Sequence, residues 1–375
     1  MDATFLQILW FVLIAVLFLG YFILEGFDFG VQMNLAALGK GSSERRGRML
    51  KTIGPVWDGN EVWLLVGGGA MFAAFPEWYA TLFSGFYLAL LLLLVALIVR
   101  VCAFKYRDKS DNPTWKNTWD VVHVVSGVVP ALLWGVAFAN IVAGVAIDEN
   151  SWVTTSLLGL LNPFALLGGV VFVLLFWLHG TLFLTLRTDG QLRADANRLA
   201  GRLVIPTIIA GAVFLLWAQI AHSNTASSWV ALVLAALALI AVVPLNRAGS
   251  EGLAFAATSV AIGAATIQLF WGLFPNVMPA SNDPANSLTV MNASSSQYTL
   301  TVMTIATLVL LPLVLAYQAW TYWVFRHRVT GDDTPPPGAG VLRKAKEEYR
   351  ETFDQSEEQQ RREQHAAQQE EGRTR

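Results

Sequence analysis

The sequence predicts an all-α protein that crosses a membrane many times. Three observations carry this. Of 375 residues, 55% are hydrophobic and only 14% charged, where a soluble chain carries about 25% charge. Nine stretches are long and apolar enough to span a bilayer as helices. Lysine and arginine occur only in alternate connections between those stretches.

The spans fall near 5–32, 58–75, 79–103, 119–146, 157–185, 203–222, 228–246, 252–275 and 299–325. Backbone groups in lipid must be satisfied internally, and no strand periodicity is present, so each span is expected to be helical. Residues 1–26 do not read as a cleavable signal: there is no basic leader, and the apolar run continues into Gly26. Pro130, Pro163 and Pro312 are expected to kink their helices. The run Gly67-Gly68-Gly69-Ala70 reads as a close-packing face. Asn140, Asn162, Gln219 and Gln268 are expected to hydrogen-bond across helices. Trp57, Trp78, Trp115, Trp119, Trp152 and Trp229 fall where aromatic belts form.

The basic residues orient the chain. Segments 33–57, 100–118 and 186–202, Arg247, and the chain from Arg326 onward hold all 25. The intervening links 76–78, 147–156, 223–227 and 276–298 hold none. The positive-inside rule then places the N-terminus outside and the C-terminus in the cytoplasm, as nine spans require. Residues 1–330 form the expected membrane domain. Residues 331–375 open on Pro-Pro-Pro-Gly and turn rich in Glu, Gln and Arg, a cytoplasmic tail expected to be disordered or a solvated helix. The lone Cys102 excludes an internal disulfide and argues against a thiolate metal site. Segregated charge in apolar surroundings points to a lipid bilayer and not to nucleic acid.

Orientation gives the intramembrane acids a common address. Glu25 and Asp28, in Glu-Gly-Phe-Asp-Phe-Gly, share one helix face in the cytoplasmic half of the first span. Asp58 and Glu61, in Trp-Asp-Gly-Asn-Glu-Val-Trp, repeat the spacing where the second span begins, with Trp57 and Asn60 in support. Carboxylates in lipid must face the protein or a wet cavity. Four together without an equal number of bases cannot all stay ionised, which is what proton uptake needs. The competing reading is that they cap helices: Asp58 and Glu61 match a capping box, and Asp28 has a candidate partner in Arg100. Asp120 and His123 repeat the spacing at the start of the fourth span, and His179 lies in the fifth. A histidine pair at similar depth admits a haem-ligand reading, against simple hydrogen bonding or a wet path.

Taken in order, these motifs resemble subunit II of the cytochrome bd-type quinol oxidases. The resemblance rests on residues 25–30, 57–63 and 68–76, on Phe-Ser-Gly-Phe-Tyr at 83–87 and Trp-Lys-Asn-Thr-Trp-Asp at 115–120, and on Leu-Asn-Pro-Phe at 161–164. It continues through Phe-Pro-Asn-Val-Met-Pro at 274–279, Met-Asn-Ala-Ser-Ser-Ser at 291–296 and Tyr-Gln-Ala-Trp-Thr-Tyr-Trp at 317–323. It implies two four-helix bundles with a peripheral ninth helix, in a bacterial cytoplasmic (inner) membrane. It implies a haem-free chain that binds no cofactor or metal directly, beside a homologous subunit I holding haems b and d, usually with a small single-helix subunit. The complex would oxidise ubiquinol or menaquinol and reduce dioxygen to water. It would build a gradient without pumping, taking protons from the cytoplasm. The Trp-Asp-Gly-Asn motif carries part of that proton route, which falls on Asp58 here. The family varies between Glu and Gln at Glu61 and between Glu and Asp at Glu25. A quinone or lipid in this subunit is a further possibility. The rival readings are a proton-coupled secondary transporter, which inverted helix repeats would mark, and a purely structural scaffold whose acids only cap helices.

Overall fold

The computed structural model of the chain describes residues 3–223 and 225–330, and the tail expected over 331–375 lies outside the described residues. Eleven α-helices follow one another: α1 Phe5–Leu38, α2 Ser43–Ile53, α3 Trp57–Ala74, α4 Pro76–Gly85, α5 Tyr87–Tyr106, α6 Pro113–Ala143, α7 Pro163–Arg187, α8 Gly190–Trp217, α9 Trp229–Arg247, α10 Glu251–Leu273 and α11 Gln297–Val324. Two short strands, β1 Asn276–Met278 and β2 Leu288–Thr289, pair antiparallel in the link before α11. Among the described residues, eight helices are long and apolar enough to cross a membrane.

Each element has a local cause. α1 opens on a reciprocal capping box: Gln7 N donates to Thr4 Oγ1 at 3.4 Å, and Thr4 N donates to Gln7 Oε1 at 2.9 Å. It ends at Gly39, whose N–H returns to Leu35 O. α6 and α7 start at Asn112-Pro113 and Asn162-Pro163, an amide N-cap followed by proline where no N–H is needed. Pro163 therefore begins a helix and kinks none, whereas Pro130 and Pro312 lie inside α6 and α11.

Three expectations about the spans change. The second predicted span, 58–75, is helix α3, which is long enough at 18 residues but, with Asp58, Asn60 and Glu61 in its first turns, is not apolar enough to be one of the eight. The third, 79–103, is broken at Phe86 into α4 and α5. The basic connections are largely helical: α2 fills one, and α8 starts at Gly190, well before the predicted 203. Helices continue past the apolar zone because their polar turns are solvated there, and hydropathy cannot mark that continuation.

α1 is the axis of the molecule, packed on α3, α6, α7 and α10. Its core is aromatic: Phe18 and Phe22 meet Trp134 and Phe138 of α6, and Phe22 also meets Phe172 and Phe176 of α7. The backbones of α1 and α7 approach so closely that a Cβ on Gly30 would lie 2.8 Å from Gly180 Cα. α6 and α7 meet likewise, a Cβ on Gly135 falling 2.6 Å from Gly169 Cα. Of the run at 67–69, Gly67 is buried against α1, a Cβ there falling 3.8 Å from Leu17 Cβ, whereas a Cβ on Gly68 or Gly69 would meet nothing within 4 Å. The amides do pair across elements, Asn162 Nδ2 donating to Asn140 Oδ1 at 2.9 Å and Gln268 Nε2 to Gln219 Oε1 at 3.1 Å.

Candidate functional site

Between the close contact with α7 and the start of α3, α1 turns Glu25 and Asp28 inward. Both are fully buried, and so is Arg100 of α5. Arg100 Nη1 forms an ion pair with Glu25 Oε1, and its Nη2 lies 3.9 Å from Asp28 Oδ2. Aromatic rings enclose the guanidinium: the centroids of Phe29, Trp57 and Phe104 lie 5.0, 5.7 and 5.8 Å away. Ring faces attract a desolvated cation, which offsets part of the cost of burial. Trp57 is thus a wall of this site, stacked on Phe104 at 4.6 Å, and not an interfacial belt residue.

The second motif reaches the site through its amide. Asn60 is buried and its Nδ2 donates to Asp28 Oδ2 at 2.7 Å and to Leu24 O at 3.2 Å. Its Oδ1 accepts from Tyr322 Oη at 2.6 Å. Asp58 and Glu61 take other directions on α3: Asp58 is exposed and Glu61 partly exposed. Glu61 is still near enough to Asp28 and Asp58 for their charges to act on one another. The four acids therefore share one end of the molecule but not one buried cluster. The capping reading fails for Asp58, since α3 begins after Val56 with no side-chain cap and Asp58 sits within the first turn.

The remaining predicted residues form a neighbouring layer. Asp120 accepts from Arg107 Nε at 2.6 Å, and Arg46 Nε lies 2.7 Å from it. Beside it Arg45 pairs with Asp195 and Arg48 with Asp189, tying α2 to α8 and its approach. His123 is fully buried, its Nδ1 3.1 Å from Gln32 Nε2 and its ring 4.6 Å edge-on from Phe104. Phe104 thus stands between Trp57 and His123. His179 uses both ring nitrogens, on Thr258 Oγ1 at 2.7 Å and Ile23 O at 3.1 Å. That leaves no nitrogen of His179 for iron, so the two histidines do not fit as an axial haem pair.

The trio can hold a proton. Two carboxyls face one guanidinium in a site without solvent exposure. Burial penalises net charge, and one guanidinium can balance only one ionised carboxylate. Glu25 takes the direct ion pair, and Asp28 stands farther from the guanidinium, bonded to Asn60. Sequence reasoning placed the acids and Asn60 but considered Arg100 only as an alternative partner for Asp28. It gave Tyr322 no role. The signal for Arg100 was its position at the last turns of an apolar helix, which looked like a loop boundary.

The model of the family described as cytochrome bd terminal oxidase subunit II matches residues 6–325. The cytochrome bd ubiquinol oxidase subunit 2 of Bacillus subtilis is 42% identical over 326 residues, covering 86% of this chain and 96% of that protein. The cytochrome bd-I ubiquinol oxidase subunit 2 of Escherichia coli K12 is 36% identical over 369 residues, covering 88% and 97%. A chain in the structure of bd oxidase from Geobacillus thermodenitrificans shares the fold, with a TM-score of 0.69 at 18% identity, covering 86% of this chain and 99% of that one.

Proposed function

Because this chain belongs to the cytochrome bd terminal oxidase subunit II family, we propose that it is the haem-free subunit of a quinol oxidase and supplies a cytoplasm-side proton path for dioxygen reduction. Its partner is a subunit I carrying haems b and d, with a small single-helix subunit completing the complex. The haems supply electron transfer and oxygen chemistry. This chain's residues hold and hand on protons.

The observation that carries the reading is the hydrogen bond from Asn60 to the buried Asp28. It holds the helix that presents Asp58 and Glu61 at the basic end of the molecule against a carboxyl with no solvent exposure, without itself carrying the proton. In the proposed route Asp58 takes protons at the cytoplasmic surface, Glu61 stands one turn deeper, and Asp28 beside Arg100 is the inner acceptor. Asp120 and His123 border the entrance. An exposed acid on the otherwise apolar outer face of α3, with Val62, Leu65 and Val66, suits contact with subunit I. Salt-bridged Asp120 suits a structural part.

The same reading supplies a topology. The N-terminus is outside, the C-terminus is in the cytoplasm, and the membrane is the bacterial inner one. α3 serves as the ninth span. It runs antiparallel beside α1, from Asn60 against Asp28 at one end to Ala73 O accepting from Ser295 Oγ at the other. Its 18 residues cover about 27 Å, close to the thickness of the hydrocarbon layer. The bundles are α1, α3, α5 and α6, then α7 to α10, with α11 peripheral. A cavity of about 180 Å³ among α7 to α10 has Thr207 and Thr266 as its polar lining, both bonded to their own helix carbonyls. Such a wall suits an apolar chain, of a lipid or a quinone tail.

The test is Asp58→Asn in the assembled oxidase. The expected result is slower dioxygen reduction per haem at normal haem content. Unchanged turnover would remove Asp58 from the route. A scaffold would instead lose assembly at constant turnover per haem. A transporter would copurify with no haem bands in a reduced-minus-oxidised spectrum.

A further inference from the structure

The stretch Tyr-Gln-Ala-Trp-Thr-Tyr-Trp at 317–323 has no part in the proposed route. It lies on α11, a helix mostly exposed, with Leu300 its only buried residue. Gln318 and Tyr322, one turn apart, face α3. Trp63 Nε1 donates to Gln318 Oε1 at 2.8 Å, Tyr322 Oη donates to Asn60 Oδ1 at 2.6 Å, and Gln318 Nε2 approaches the same oxygen at 3.5 Å.

Groups with a single role fix the direction of every bond. An indole N–H can only donate, so it holds the oxygen of Gln318 toward Trp63 and the NH₂ toward Asn60. A backbone carbonyl can only accept, so Leu24 O draws the NH₂ of Asn60 to the α1 side. The two constraints agree on one orientation of the Asn60 amide. Its Nδ2 therefore donates to Asp28 Oδ2, and Oδ2 must accept whether or not Asp28 carries a proton. The other oxygen, Oδ1, has no hydrogen-bond partner among the described residues.

We propose that Gln318 and Tyr322 are positioning residues for Asp28: by fixing the Asn60 amide they confine the Asp28 proton to Oδ1. The arm toward α11 cannot conduct, because a carboxamide neither gains nor gives up a proton near neutral pH. Proton exchange is thereby limited to the Oδ1 side of the carboxyl. The proposal rests on Asp28 belonging to the route above.

The experiment uses the assembled oxidase with Tyr322→Phe, Gln318→Leu and the double variant, Asp28→Asn as reference, and Tyr317→Phe, at a residue 66% exposed, as a control. Two quantities are read: turnover per haem across pH, and the infrared carboxyl C=O band that Asp28→Asn removes. Tyr322→Phe is expected to move that band, displace the pH profile and slow turnover about fivefold, the equivalent of one lost hydrogen bond. The double variant should do more and Tyr317→Phe nothing. A merely structural role would lower complex yield while leaving the band and the pH profile in place, and that result overturns the proposal. So does the lack of any band sensitive to Asp28→Asn, since Asp28 would then carry no proton. If Asp28→Asn leaves turnover untouched, the proton route fails instead, and the band position in Tyr322→Phe alone decides on positioning.

Discussion

Arg100 and Glu25 form an ion pair in which neither side chain has any solvent exposure. The pair links α5 to α1 at the level where Asn60 meets Asp28. Removing one partner of such a pair leaves an uncompensated charge, whereas replacing both can be nearly neutral.

Arg100→Met is therefore expected to destabilise the subunit by about 3–5 kcal/mol and to reduce recovery of assembled complex. The double variant Glu25→Gln with Arg100→Met should recover most of that loss, because both charges of the pair are removed together. Thermal denaturation of the solubilised complex reads both. A double variant as unstable as Arg100→Met would show that the pair does not act through charge.

Asn60→Leu keeps the volume of the side chain but removes the donor to Asp28 and Leu24 and the acceptor for Tyr322. Each buried polar group left without a partner costs about 1–3 kcal/mol. A drop in midpoint temperature and slower turnover per haem are expected together. Loss of stability alone would make Asn60 purely structural.

Gly180→Ala should be among the most damaging small substitutions. α1 and α7 touch backbone to backbone at Gly30 and Gly180, so no flexible side chain can move aside. Overpacking there is expected at or above the upper end of the usual range, about 3 kcal/mol. Gly68→Ala, whose Cβ would meet nothing within 4 Å, is the matched control and should fold normally. Comparable yields of the two variants would contradict the packing described.

Two of the acids tied to α2 should separate sharply. Asp195, 22% exposed, pairs with Arg45 at the surface, so Asp195→Asn is expected to cost no more than about 1 kcal/mol, and less at high salt. Asp120, 6% exposed, is held between Arg46 and Arg107. Bonds to buried charged groups are worth about 1.5–3 kcal/mol each, so Asp120→Asn should cost several times more and respond little to salt. Melting curves at two ionic strengths distinguish them.

How far the site was legible depended on the kind of residue. Glu25 and Asp28 stood out because acids within an apolar run are rare and expensive. Their burial on one face of α1 followed from the three-residue spacing. Asp58 and Glu61 share that spacing, yet α3 turns them outward and Asn60 inward. Which face of a helix meets its neighbour is set by packing, and an apolar helix has no polar stripe to announce it. Arg100 failed for a related reason: at the edge of an apolar run, a basic residue marks a membrane boundary unless a carboxylate from another helix reaches it.

The sequence by itself determined the all-α membrane class, the alternating basic connections and the family, because these depend on composition, hydropathy and motif order along the chain. Only the tertiary structure decided that Arg100 neutralises Glu25, that Trp57 is a wall and not a belt, and that α11 reaches Asp28 through Asn60. Those contacts join residues 75, 43 and 262 positions apart in the chain (25 to 100, 57 to 100, 60 to 322). Desolvation makes such pairings worth forming, but which residues meet is fixed only when helices pack at van der Waals distance.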